Sequence, residues 1–141
     1  MHMESDEVLC ECPIEKLVLF ISIIESKLSI ELVIPPKLGM TMVKAQDSID
    51  FQSFYLGEVL ITECQLTVDG QLGYGFCMGD QGKRAYSIAI IDAIIHSPLH
   101  PLQNEIFDFI KEQGEMLELE KLKEYNQILK TKVDFKIMEQ D

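Results

Sequence analysis

The spacing of apolar positions changes several times along the chain, and each change marks an element. Over residues 14–27, Leu17, Phe20, Ile21 and Ile24 recur at intervals of three and four. That lays one apolar stripe along a helix, and Pro13 suits its opening turn. Over residues 28–34 the pattern becomes alternation, with Leu28, Ile30, Leu32 and Ile34 on one side and Ser29 and Glu31 on the other. A period of two predicts a strand with one buried face. Pro35-Pro36 is expected to stop that strand, and Gly39 to help turn the chain. Residues 40–45 then read as a second strand and residues 47–53 as a polar loop.

Residues 54–68 form the longest strand expectation, with Leu60, Cys64, Leu66 and Val68 sharing a parity. Asp69-Gly70 follows, a dipeptide that accepts positive φ at both central positions of a hairpin turn. Residues 72–78 should therefore pair antiparallel with the strand before them. Gly73 and Gly75 lie two apart on one face of that strand, which weakens it unless something packs closely there. A helix over residues 83–96 carries Ala85, Ile88, Ala89, Ile91, Ile94 and Ile95, with Ile90 and Ala93 widening the apolar surface almost all round. Such a helix is buried on most sides, by its own sheet and by a second layer or a partner. Ser97-Pro98 ends it. Residues 102–129 carry a further apolar stripe with Glu and Lys between, and Gly114 is expected to divide it into two helices. Val133, Phe135 and Ile137 alternate with Lys132, Asp134 and Lys136, predicting a short terminal strand over residues 131–138. The class is α+β: an antiparallel or meander sheet packed by a buried helix, with N-terminal and long C-terminal helices.

Composition narrows what such a fold does. The 141 residues suit one domain, expected over residues 13–141 behind a flexible acidic lead-in at residues 1–12. Hydrophobic residues make up 47% and the mean hydropathy is +0.08, so apolar surface is left over after one small core is filled. Acidic residues number 24 against 12 basic ones, a net charge of −12. No Lys/Arg cluster exists to displace counterions from a phosphate backbone, which sets nucleic acid aside, and an anionic membrane is disfavoured in the same way. No apolar run approaches the length of a membrane span, and the acidic start is unlike a secretory signal, so a cytoplasmic location is expected. Cys10, Cys12, Cys64 and Cys77 lack zinc spacing and read as reduced thiols.

The richest cluster of candidate chemistry is the turn at residues 79–84: Gly79, Gly82, Lys83 and Arg84 set N–H groups and two cations at a helix start, a natural anion contact. It fails the phosphate-loop spacing, because Cys77 stands in place of the first glycine and Arg84 in place of the hydroxyl. Gly73, Gly75 and Gly79 also miss the dinucleotide-binding spacing by one residue. The plainer reading makes Asp80 or a neighbour the helix cap and the glycines turn-formers; the residues fit both readings. His96 and His100 are split by Pro98 and fit carbonyl capping better than metal ligation. Glu58 and Glu63, five apart on a strand, point to opposite faces and make no acid pair. Asp92 is the odd polar residue on the buried helix, read as an exposed strip or a partner contact. No metal or cofactor site is expected within this chain.

The block Leu72-Gly-Tyr-Gly-Phe-Cys-Met-Gly-Asp-Gln-Gly-Lys-Arg-Ala-Tyr-Ser-Ile-Ala-Ile-Ile-Asp-Ala-Ile-Ile95 resembles the PhnG family, a subunit of the bacterial carbon–phosphorus lyase machinery. Gly57-Glu58-Val59-Leu60-Ile61-Thr62-Glu63-Cys64 and Thr131-Lys132-Val133-Asp134-Phe135 fit the family in the same order, so the likeness covers residues 13 to 138. The resemblance implies a place in a core complex with PhnH-, PhnI- and PhnJ-like subunits, assisted by a PhnL-like protein. That assembly displaces adenine from ATP with methylphosphonate, giving α-D-ribose 1-methylphosphonate 5-triphosphate. It transfers no catalytic residue to this chain. The expectation is thus a structural or accessory subunit of a transferase complex, which self-associates when isolated. The alternative is a stand-alone phosphate- or nucleotide-binding domain using the turn at residues 79–84.

Overall fold

The computed structural model describes residues 5–46 and 53–139. Helices α1 (Ser5–Glu11) and α2 (Ile14–Glu25) lead into strands β1 (Ile30–Gln46), β2 (Ser53–Val68) and β3 (Gln71–Met78). Helices α3 (Gly82–His96) and α4 (Gln103–Glu139) complete the α+β chain. The residues cluster into two compact units, Pro13–Ile106 and a second made of Met1–Cys12 with Phe107–Asp141.

The first unit is a three-stranded antiparallel sheet, in the order β1-β2-β3, with helices on one face. Asp69 and Gly70 turn β2 into β3 with φ of 49° and 88°, the positive values that this hairpin chemistry demands. On β2, Thr62, Cys64, Leu66 and Val68 are buried towards the helices, the parity expected from the sequence. α3 lies against that face. Nine of its residues are buried, among them Ala85, Ala89, Ile90, Ile91 and Ala93. Gly73 and Gly75 explain how it comes so close: a Cβ built on Gly75 would lie 1.9 Å from the Ala85 carbonyl oxygen, and one on Gly73 2.2 Å from that of Ala89. α2 supplies the second layer through Leu17, Ile21 and Ile24.

Several expectations are corrected. Pro35-Pro36 does not end a strand, and Gly39 makes no turn; the two short strands expected over residues 28–34 and 40–45 are one continuous β1. β1 is an edge strand, where a missing N–H is tolerated, and the ladder shifts register between Leu32 and Ile34 and again between Ile34 and Lys37 to absorb the prolines. The shift also breaks the expected parity. Leu32 faces the helix side opposite Leu66, whereas Ile34 stands opposite Gln65 on the open face. The polar loop expected over residues 47–53 lies outside the described residues up to residue 52, and Ser53 belongs to β2.

In the second unit, α1 occupies residues expected to be a loose acidic lead-in, and it buries Val8 and Leu9. Gly114 does not divide the C-terminal helix. It admits α1, because a Cβ there would lie 3.3 Å from Val8 Cγ2. The expected terminal strand over residues 131–138 is helical instead, since α4 runs unbroken to Glu139. Val133 and Ile137 sit four apart, so the apparent alternation also fits a helix, and adding residues to an existing helix is far easier than starting a lone strand. Lys121 Nζ pairs with Glu11 Oε2 at 3.4 Å between α4 and α1.

Candidate functional site

The turn between β3 and α3 is held by two residues that the sequence reading passed over, Thr62 and Gln81. Gly79 takes φ of 83° and donates its N–H to the Leu60 carbonyl at 2.7 Å. The Thr62 hydroxyl donates to the Gly79 carbonyl at 2.6 Å and accepts the Gln81 N–H at 3.0 Å. Gln81 is the N-cap of α3 without a side-chain capping bond; its amide instead donates to the Met78 carbonyl at 2.7 Å. Its Oε1 accepts from Arg84 Nε at 2.7 Å. The cap expected at Asp80 or a neighbour thus falls on Gln81, and Asp80 is exposed. Only residue type gave a hint: a threonine with buried parity on the strand facing the turn can bond backbone that glycines leave bare.

The four candidate residues are thus placed as follows. Gly79 shapes the turn. Gly82 opens α3, where a Cβ would meet Pro36 at an ordinary 3.4 Å. Arg84 is buried and bonded to Gln81, and Lys83 is exposed. The structure therefore brings the residues together as one corner but turns Arg84 inward, away from a shared anion contact with Lys83.

Lys83 borders a depression of about 210 Å³ between α2 and α3, lined also by Val18, Ile21, Ser22, Glu25, Tyr86 and Ser87. There the Tyr86 hydroxyl donates to Glu25 Oε1 at 2.9 Å. Burial first, then the Glu25 carboxylate, pushes the Tyr86 phenol up to about 12. Tyr86 is therefore a fixed hydrogen-bond donor at neutral pH rather than a base.

The histidines tie structure together. His96 Nδ1 bonds the Asp92 carbonyl at 2.8 Å, the expected helix-end role. His100 Nδ1 accepts the Leu102 N–H at 3.1 Å, which leaves Nε2 carrying the proton towards Asp69 Oδ2 at 3.1 Å. Asp69 Oδ1 also accepts the Ser29 N–H, so one carboxylate joins the β2–β3 hairpin, the start of β1 and the segment after α3. The His100 bond, followed by the Ser29 N–H, holds the Asp69 carboxyl below its ordinary value. Asp92 has a role the sequence did not suggest: Oδ2 accepts the Tyr74 N–H at 3.0 Å, covering an outward backbone group of β3.

Cys12, Cys64 and Cys77 are buried and Cys10 is exposed, all as free thiols; burial pushes the Cys64 thiol up. Among the described residues, no three His, Cys, Asp or Glu side chains gather as a metal site. No helix there is long and apolar enough to cross a membrane.

The family model described as "Phosphonate metabolism protein PhnG" matches residues 4–140. The chain belongs to the PhnG family. Its role therefore lies in phosphonate metabolism. No curated protein matches the chain. The PhnG match includes both compact units and so takes in α1 and the whole described length of α4, beyond the residues 13 to 138 on which the resemblance rested.

Apolar surface is left uncovered on this PhnG chain. On the sheet face away from α3, Leu72, Tyr74, Phe76 and Met78 of β3 are 41% to 63% exposed. Tyr74 reaches across that face to donate to Glu63 Oε2 at 2.9 Å. Leu38, Met40, Met42 and Leu60 are also exposed, on β1 and β2 beyond the cover of α3. On α4, Leu119, Leu122, Tyr125 and Leu129 follow at spacings of three, three and four, all of them exposed.

Proposed function

We propose that the chain is a structural or accessory subunit of the carbon–phosphorus lyase core complex. In this reading it assembles with PhnH-, PhnI- and PhnJ-like subunits, with a PhnL-like protein assisting. The complex displaces adenine from ATP with methylphosphonate and forms α-D-ribose 1-methylphosphonate 5-triphosphate; this chain supplies surface and shape rather than the reacting groups. The observation that carries the reading is the exposed row Leu72, Tyr74, Phe76 and Met78 on a strand whose other face is covered by α3. A contiguous apolar face of this kind marks a protein contact more readily than a small-molecule pocket. The inward turn of Arg84 supports the same reading, because it takes one of the two cations away from any phosphate at the turn.

Co-expression with the neighbouring phosphonate subunits tests this. The chain should copurify with them, and Phe76→Asp combined with Met78→Asp should abolish copurification while circular dichroism stays unchanged. Adenine release from ATP and methylphosphonate should require the assembled complex. Binding of ATP by the isolated chain, lost on Lys83→Ala, would instead favour a stand-alone nucleotide-binding domain.

A further inference from the structure

The sheet has two edge strands, and the chain finishes only one of them. On β3 the outward Tyr74 N–H is taken by Asp92 and the Leu72 carbonyl accepts from Gln71 Nε2. The outer side of β1 has neither kind of cover: among the described residues no strand or side chain bonds the backbone of its Lys37–Met42 stretch on that side. β3 ends at Met78, opposite Ile61, so β1 from Met40 onward pairs with β2 alone. A two-stranded ribbon is marginal by itself in water, and its free edge is a template for another strand.

We infer that this edge of β1 pairs with the same edge of a second copy of the chain, antiparallel about a two-fold axis at Met40, giving a six-stranded sheet. The sequence of the edge is complementary to itself in this register. Leu38 of one copy stands opposite Met42 of the other, Gly39 opposite Thr41, Met40 opposite Met40 and Lys37 opposite Val43. No charge faces a like charge, although the chain as a whole carries a net −12. Leu38, Met40 and Met42 fall at alternate positions, so one apolar row continues across the axis, and all three are 47% to 63% exposed in the lone chain. Pro35 and Pro36 lack the N–H that would extend pairing further towards the body, so the prolines bound the contact at both symmetric ends. The two arms then run past each other and leave the helix-covered parts at opposite ends of the joined sheet. This goes beyond the role in phosphonate metabolism and depends on no other subunit.

Cysteine cross-linking in the full chain reads the register directly. With Cys10 replaced by serine, Met40→Cys should convert to disulfide-linked dimer under mild oxidant, because residues directly opposite in an antiparallel pair lie within disulfide reach. Met78→Cys is the matched control: both methionines are 63% exposed, but Met78 lies on the other edge strand. Leu38→Cys and Met42→Cys chains should cross-link with each other when mixed and far less when kept apart. Met42→Pro, which removes an outward N–H of β1 and none of those facing β2, should weaken the dimer roughly tenfold or more by sedimentation while leaving circular dichroism unchanged. A chain that stays monomeric at tens of micromolar overturns the inference. So does Met40→Cys that cross-links no faster than Met78→Cys. Neither result touches copurification with phosphonate subunits, which is tested through the open sheet face.

Discussion

β1 and β3 flank the same central strand, yet they have been shaped by opposite demands. β3 is short, with glycine at alternate positions, so that α3 can lie directly on its backbone; Asp92 of that helix also covers the Tyr74 N–H. β1 is long, shifted in register around two prolines and continued with Leu38, Met40 and Met42 in the open. One edge is closed by intimacy with a helix and the other is kept long and bare. The difference teaches that glycine in a strand has no fixed meaning: what approaches it decides.

The sharpest way to break that contrast is to make one substitution on each strand. Gly75→Val forces a Cβ to within 1.9 Å of the Ala85 carbonyl oxygen, and backbone cannot step aside. We expect a loss of roughly 3 kcal/mol or more, or failure to fold, measured by urea unfolding. Gly39→Ala adds a Cβ to open space and should stay within about 0.5 kcal/mol of the parent. Equal effects at the two glycines would refute the account of how α3 seats on β3.

Thr62→Val comes next. It keeps the shape but strips the Gly79 carbonyl and the Gln81 N–H of their shared partner in a part-buried corner. Leaving such groups unsatisfied should cost about 2 kcal/mol, with Thr62→Ser much milder. Asp92→Ala follows, removing the cover on the Tyr74 N–H together with the exposed pairing of Asp92 Oδ1 with His96 Nδ1 at 3.3 Å. About 1 kcal/mol is expected, with faster hydrogen exchange at the Tyr74 amide and no change at residues 38–42. Exchange that accelerates equally on β1 would show that the two edges are not independent.

Much of this was legible in the sequence where local chemistry and the tertiary fold agree. Asp69-Gly70 announced its hairpin, and Gly73 with Gly75 announced a close neighbour, because each rests on backbone rules a sequence states openly. Pro35-Pro36 misled, since whether proline ends a strand depends on its being at an edge, and edge position is a property of the finished sheet. Residues 131–138 misled because Val133 and Ile137 satisfy both a strand and a helix. Gly79, Gly82, Lys83 and Arg84 do meet at one corner, as their closeness in sequence required. The direction of Arg84 and the part played by Thr62 were illegible, because both depend on a partner from another element.

The smallest effect concerns the helix layer behind the sheet. Tyr86 of α3 bonds Glu25 of α2, and its phenol is pushed up to about 12. In the unfolded chain the same phenol titrates near 10. Between those values the unfolded state gives up its proton while the folded state keeps it, so stability is fully present below pH 10 and falls as pH rises towards 12. Spectrophotometric titration at alkaline pH should therefore show a phenol ionising near 12 that is absent in Tyr86→Phe, whereas Tyr74, whose phenol burial and Glu63 also push up, ionises alike in both chains. Tyr86→Phe should also flatten the loss of stability across that window. Should the late phenol persist in Tyr86→Phe, the α2–α3 contact is not what holds the proton, and the closed side of the sheet is looser than the hydrogen bond between Tyr86 and Glu25 implies.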